Sequence, residues 1–208
     1  MRTFALILAA VTLAASACSS GSDSSAGEQP GPAQDTTPAP SGVHFTKAEL
    51  AKIALQPSDA PQGMHYVKEA SGPQTLADVG FIVPSQITQV KNLNLKGIYD
   101  STFDAKKRTS DLRLASRLWL FADEDGARRW LDKTERDSQS FAFEALQTPR
   151  LGDDAWAGYG NLAAQVVTYA FRKGNLVVVT SYTTQTEELS QRDALAAAEK
   201  AAERLNQA

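Results

Sequence analysis

The chain has 208 residues, 42% of them apolar and 22% charged, which suits one ordinary domain plus a tail and excludes wholesale disorder or a multi-span membrane protein. Its net charge of -3, from 21 basic and 24 acidic residues, argues against a nucleic-acid partner, which a basic excess would announce. One Cys and two His leave no internal disulfide and almost no route to a Cys/His zinc site.

Met1-Arg2-Thr3 carries one positive charge, Phe4 to Leu13 is an apolar run, and Ala14-Ala15-Ser16-Ala17 is a small-residue stretch ending at Cys18. The run is shorter than the roughly 20 residues of a membrane span, and the pattern is that of a cleaved export signal. Ala15-Ser16-Ala17-Cys18 resembles the lipobox of a bacterial lipoprotein signal peptide, with Ala15 where that family more often has Leu. The resemblance implies cleavage before Cys18, a diacylglyceryl thioether on its sulfur and a fatty acyl chain such as palmitate on its new amino group. Several buried acyl chains hold durably where one binds only marginally. The expected location is the cell membrane, lipid-anchored on the extracytoplasmic face.

Ser19 to Gly42 contains no Leu, Ile, Val, Phe, Trp or Tyr, and four of the nine prolines. Such a segment has nothing to bury and reads as a disordered tether, about 25–30 Å long on average. The expected division is therefore a signal peptide over 1–17, a lipidated Cys and linker over 18–42, and one folded domain over 43–208.

In that domain, Phe45-Thr46-Lys47-Ala48-Glu49-Leu50 is a helix start: Thr46 caps, Glu49 reaches back, and Phe45 staples onto Leu50. The helix is expected to reach about Leu55, before Pro57 and Pro61. Met64 to Val67 reads as a short strand, Ser85 to Val90 as a helical turn after Pro84, and Gly97 to Phe103 as part of a strand. Leu112, Leu114, Leu118 and Leu120 share one face of the next strand; Arg113, Arg117, Trp119 and Phe121 share the other. Asp123-Glu124-Asp125 opens a helix with Ala127, Trp130, Leu131 and Thr134 on one side. A hairpin follows, Leu162–Phe171 and Leu176–Thr183, joined by the turn Arg172-Lys173-Gly174-Asn175, in which Gly174 and Asn175 tolerate positive φ. Its second strand is apolar on both faces, so it belongs in the sheet centre, covered on both sides. Ser190 caps the last helix, whose stripe is Leu195, Ala198, Ala202 and Leu205. Grouped strands with flanking helices give an α+β fold: an antiparallel sheet packed by helices, with a C-terminal helix. The strand–helix units 112–135 and 176–206 have matching lengths, as a decayed repeat would.

Four short motifs recur in order: Asp59-Ala60-Pro61-Gln62-Gly63-Met64, Phe121-Ala122-Asp123-Glu124-Asp125-Gly126-Ala127, Leu151-Gly152-Asp153-Asp154-Ala155 and Phe171-Arg172-Lys173-Gly174-Asn175. Together they resemble single-domain extracytoplasmic lipoproteins and sensor-type modules of Gram-positive and related bacteria, some with a sheet like the photosystem-associated PsbP fold. The resemblance implies fold class and location and brings no catalytic residues.

No nucleophile elbow, phosphate loop, dinucleotide fingerprint or zincin motif occurs, so the expectation is no cofactor, no metal and no enzymatic activity. His44 and His65 lack acidic neighbours at helical spacing and read as surface residues. Asp153-Asp154 is a carboxylate pair in an expected loop, where turn and capping roles suit it better than catalysis. Trp156 and Tyr159, set among Gly158 and Gly160, are the candidate lining of a ligand recess, with Asp154 beside it. Lys106-Lys107-Arg108 is a basic loop that would suit anionic lipid. The leading expectation is a lipid-anchored domain that binds an envelope protein or small ligand. A carrier of hydrophobic ligand or lipid, lined by Trp119, Trp156 and Tyr169, is the alternative, and an envelope hydrolase using Asp153 and Asp154 the third.

Overall fold

The chain enters its folded part at Phe45, whose ring is buried beside Leu50 while Glu49 accepts hydrogen bonds from Thr46 N and Oγ1, both at 2.7 Å. This computed structural model describes residues 42–79, 84–107, 110–141, 143–161, 163–186 and 189–208. The expected export signal, Cys18, nearly all of the expected tether and Arg108 lie outside the described residues.

The first helix, α1, spans only Leu50–Ile53. It stops short of Leu55 because Pro57 forces Gln56 into extended backbone at φ -99° and ψ 165°. Strands β1 (Met64–Tyr66) and β2 (Gly72–Gln74) follow, then α2 (Pro84–Asn92) and β3 (Leu95–Ala105). Next come β4 (Arg113–Phe121), α3 (Glu124–Ser140), the two-residue β5 (Glu144–Ala145) and β6 (Asp154–Asn161). The chain closes with β7 (Gln165–Lys173), β8 (Leu176–Thr184) and α4 (Gln191–Gln207). No described helix is long and apolar enough to cross a membrane.

All pairings are antiparallel, in the order β1-β3-β4-β8-β7-β6-β5, with β2 beside β1 along the outer edge of β3. Very short strands therefore blunt both sides of the sheet, which limits edge-to-edge association. The fold is the expected α+β arrangement, and β8 is central. Its Leu176 and Val178 enter the core under α1 and α4, and Val177 enters the core under α3. The alternation read for β4 holds: Leu114, Leu118 and Leu120 face one core, Trp119 and Phe121 the other.

Helix caps follow the sequence. Asp123 accepts from Gly126 N at 2.8 Å, and Ser190 from Asp193 N at 3.2 Å. The buried stripe of α4 is Ala194, Ala197, Ala198, Ala201, Ala202 and Leu205, with Leu195 at its margin. Small side chains let that helix lie close against the sheet.

Three readings change. Asp154, expected with Asp153 in a loop, opens strand β6, because every residue from Asp154 to Asn161 has a register partner on β7. The hairpin turn is the pair Gly174-Asn175, of which only Gly174 adopts positive φ, at 54°. The matching units are not a rotational repeat. A twofold that brings β4 onto its antiparallel neighbour β8 keeps both following helices on one face, yet α3 and α4 lie on opposite faces.

Candidate functional site

Three of the four short motifs converge at the β7–β8 turn. Arg172, only 4% exposed, is ringed by carboxylates: Asp154 Oδ2 at 2.7 Å, Asp153 Oδ2 at 3.3 Å and Glu124 Oε2 at 3.8 Å. Its Nη1 also donates to Gly174 O at 3.0 Å. Asp153 accepts from Gly174 N at 2.8 Å, while its own N–H donates to Arg172 O at 2.7 Å. A Cβ at Gly152 would sit 2.2 Å from that same carbonyl, so the Gly-Asp-Asp sequence is a backbone clamp on the turn.

Asn175, fully buried, completes the clamp. Its Nδ2 donates to Phe45 O and Phe121 O, and its Oδ1 accepts from Phe45 N at 2.7 Å. Buried backbone groups need such partners.

The candidate recess residues separate. Strand alternation sends Trp156 to the α3 side, where its Nε1 donates to Thr134 Oγ1 at 3.0 Å, and Tyr159 to the α4 side. Asp154 shares the face of Trp156 but is held by Arg172. The space left by Gly158 and Gly160 is taken by this chain's own Phe143: a Cβ at Gly160 would lie 2.6 Å from its ring. The aromatic set of the carrier reading also divides. Trp119 packs on Trp130 at 5.0 Å under α3, and Tyr169 lies in the opposite core. His65 is exposed on β1, and His44 bonds Ala122 O at 3.0 Å. Among the described residues no group of three or more His, Cys, Asp or Glu is placed to hold a metal.

The open surface is elsewhere. On the α3 side, directly paired residues form transverse rows across β3, β4, β8, β7 and β6. The two rows nearest the α3 N-terminus, including Trp119, Ala170 and Trp156, lie under that helix. Further along the strands, Ala115, Ser181 and Thr183 are half-exposed. One transverse row there is Thr102, Ala115, Ser181, Thr168 and Gly158, of which Ala115 and Ser181 are open, Thr102 and Thr168 are buried, and Gly158 lies under Phe143. Bidentate ion pairs flank it. Arg117 holds Asp100 at 2.7 and 2.6 Å, and Arg113 holds Asp104 at 2.7 and 3.0 Å.

The hydrogen bond that Arg113 donates to Asp104, helped by the carboxylate's charge, raises the Arg113 pKa although desolvation opposes it. Arg117 also lies 5.7 Å from the centre of the Trp119 ring, a cation–π distance. Thr168 and Ser181 bond each other at 3.0 Å. The open patch carries the Arg113–Asp104 pair and the Ser181 and Thr183 hydroxyls beside Ala115, with the more buried Arg117–Asp100 pair at its inner margin. The sequence carried half of it, since Arg113 and Arg117 fall on one face of β4. Their partners Asp100 and Asp104 were missed, although they repeat the same spacing of four.

No protein-family model and no curated protein sequence matches the chain. Among solved structures, the extracellular domain of PknH from Mycobacterium tuberculosis is similar, with a TM-score of 0.57 at 13% identity. The match covers 82% of this chain and 100% of that one. At that identity the likeness is one of fold: the antiparallel sheet between helices is an architecture that also serves as an extracellular domain.

Proposed function

We propose that this chain is an extracytoplasmic, lipid-anchored binding protein without catalytic activity, which presents the open half of its sheet to an envelope protein or small ligand. The reading rests on the likeness of its fold to the whole extracellular domain of PknH. It is supported by Cys18, the only cysteine, standing at the end of an export signal. The carboxylate pair that a hydrolase would use is committed to the hairpin clamp, through Arg172 and Gly174. The patch of Arg113, Ala115, Ser181 and Thr183 lies beyond the rows under α3 and is exposed or half-exposed, which suits recognition.

Anchoring is tested by expressing the chain and Cys18→Ser in a bacterium fed an alkyne-labelled fatty acid. Label and detergent-phase partitioning are expected for the parent and absent from the variant; equal behaviour sinks the anchor. The binding face is tested by photo-crosslinking in intact cells from Ser181, with Glu199 on α4 as control. Crosslinks confined to the α4 position would place recognition on the wrong face and overturn the reading.

A further inference from the structure

The chain enters the fold beside the turn that joins α2 to β3. His44 Nε2 bonds Ala122 O at 3.0 Å, and Ala122 N donates to Asn94 O at 3.0 Å. That turn is bracketed by exposed Lys91 and Lys96, closed by Asn94 N donating to Lys91 O at 3.0 Å. Lys96 is bulged out of register between the pairs Leu95–Phe121 and Gly97–Leu120. The stem of exposed Lys47 lies 3.6 Å from where a Cβ on Gly97 would be, so a third cation joins the patch.

The charge there is one-sided by sequence. Val79 to Tyr99 and Gly42 to Ala48 together hold these three lysines and no Asp or Glu. The nearby carboxylates already accept local hydrogen bonds, Glu49 from Thr46 and Asp123 from Gly126 N. None of the three lysines forms an ion pair among the described residues.

We infer that Lys47, Lys91 and Lys96 form a docking patch for the anionic headgroups of the membrane in which Cys18 is anchored. This rests on the proposed lipid anchor, because that anchor brings the patch, where the tether joins, next to the bilayer. Exposed lysines near an anionic surface are attracted through the diffuse counterion layer, and each is worth about a fivefold shift in the docked population. The basic loop singled out from sequence does not share this position. Lys106 N donates to Gly63 O at the far end of β3, about 30 Å from Lys96 along the strand. A domain docked by its lysine patch carries Arg113 and Ser181 on the half of the sheet that faces away from the lipid.

The test couples the full chain through its only thiol, Cys18, to a maleimide lipid, so the outcome does not depend on whether cells acylate it. The readout is energy transfer from the three tryptophans to dansyl-headgroup lipid in vesicles of phosphatidylcholine, with or without phosphatidylglycerol. Transfer is expected to rise with anionic lipid and to fall with added salt. The triple change Lys47→Gln, Lys91→Gln, Lys96→Gln is expected to lower the docked-to-undocked ratio on the order of a hundredfold. Lys106→Gln with Lys107→Gln is expected to leave it within about twofold. Equal transfer on neutral and anionic vesicles overturns the inference, as does an unchanged triple variant or an equal loss in the distal one. Thermal melts of both variants confirm that the fold is intact.

Discussion

Arg172 holds Asp154 with two of its nitrogens on one carboxylate oxygen, Nε at 2.9 Å and Nη2 at 2.7 Å. The guanidinium is buried and the carboxylate is partly hydrated, at 4% and 28% exposure. The pair therefore has an asymmetric dependence: the cation needs its carboxylates more than they need it.

Removing Arg172 leaves three carboxylates facing one another around a void. Arg172→Ala is expected to destabilise the domain by about 3 kcal/mol, the lower end for a broken buried ion pair, because Asp153, Asp154 and Glu124 all reach water. Asp154→Asn keeps a hydrogen-bond acceptor and leaves Asp153 and Glu124 beside the buried cation, so it is expected to cost about half as much. Urea titration of both variants checks the order, and an equal or reversed cost would contradict it.

The turn clamp makes Gly152 sensitive to a single methyl group. Gly152→Ala drives a Cβ to within 2.2 Å of Arg172 O, with no flexible side chain to yield. A loss of about 3 kcal/mol is expected, the upper end for overpacking. Hydrogen exchange should show Gly174 N–H, which donates to Asp153, opening before the rest of the hairpin.

Phe143 and Gly160 should couple. Gly160→Ala alone must displace a half-buried ring whose atoms lie 2.6 to 2.9 Å from the new Cβ, at about 2 kcal/mol. Combined with Phe143→Ala, the same methyl group enters vacant space. The double variant is expected to lose at least 1 kcal/mol less than the sum of the singles, and simple additivity would show that the ring does not fill the glycine slot.

Alkaline and acid limits come from different groups. Burial pushes the Tyr182 hydroxyl up to about 12 from 10.0, assisted by Asp193; it donates to Met64 Sδ at 3.4 Å. Because the folded value is the higher one, the contribution is complete below pH 10. It is lost as pH rises from 10 to 12, by about 2–3 kcal/mol. Tyr182→Phe is expected to flatten that decline in denaturant midpoints, while absorbance at 295 nm shows the late-ionising tyrosine disappear.

At the other limit stands Asp111. Partial burial raises its pKa, but hydrogen bonds from Thr184, Thr186 and Gln185 N outweigh it and the net shift is downward. A lowered carboxylate contributes above its unfolded value of 3.8 and loses that contribution as pH falls through its folded value. Below pH 3.8, amide exchange at Gln185 and Thr186 is expected to accelerate ahead of the core strands. Asp111→Asn should show that fast exchange already at neutral pH.

Local rules determined a good part of the fold. The alternation in β4, the caps at Asp123 and Ser190 and the all-apolar run of β8 depend on residues within a few positions of one another. They sufficed for the antiparallel sheet, its central strand and the two long helices, but not for β6. The export signal expected up to Cys18 is also a local pattern, and it is a reading of the sequence alone.

Other features depend on partners distant in the chain. Trp156 and Tyr159 are three residues apart, and only the strand conformation that β7 imposes on 154–161 sends them to opposite faces. The glycines beside them looked like room for a ligand because nothing local revealed that Phe143 fills it. Asp153 and Asp154 became a clamp only when the turn carrying Arg172 arrived 18 residues later. Helices on opposite faces, an open patch of sheet at Arg113 and Ser181, and a lysine patch where the chain enters are all register and crossover outcomes. Residues decided which groups exist, and tertiary pairing decided which of them meet, because side-chain chemistry acts over a few ångströms and chain separation is no guide to distance.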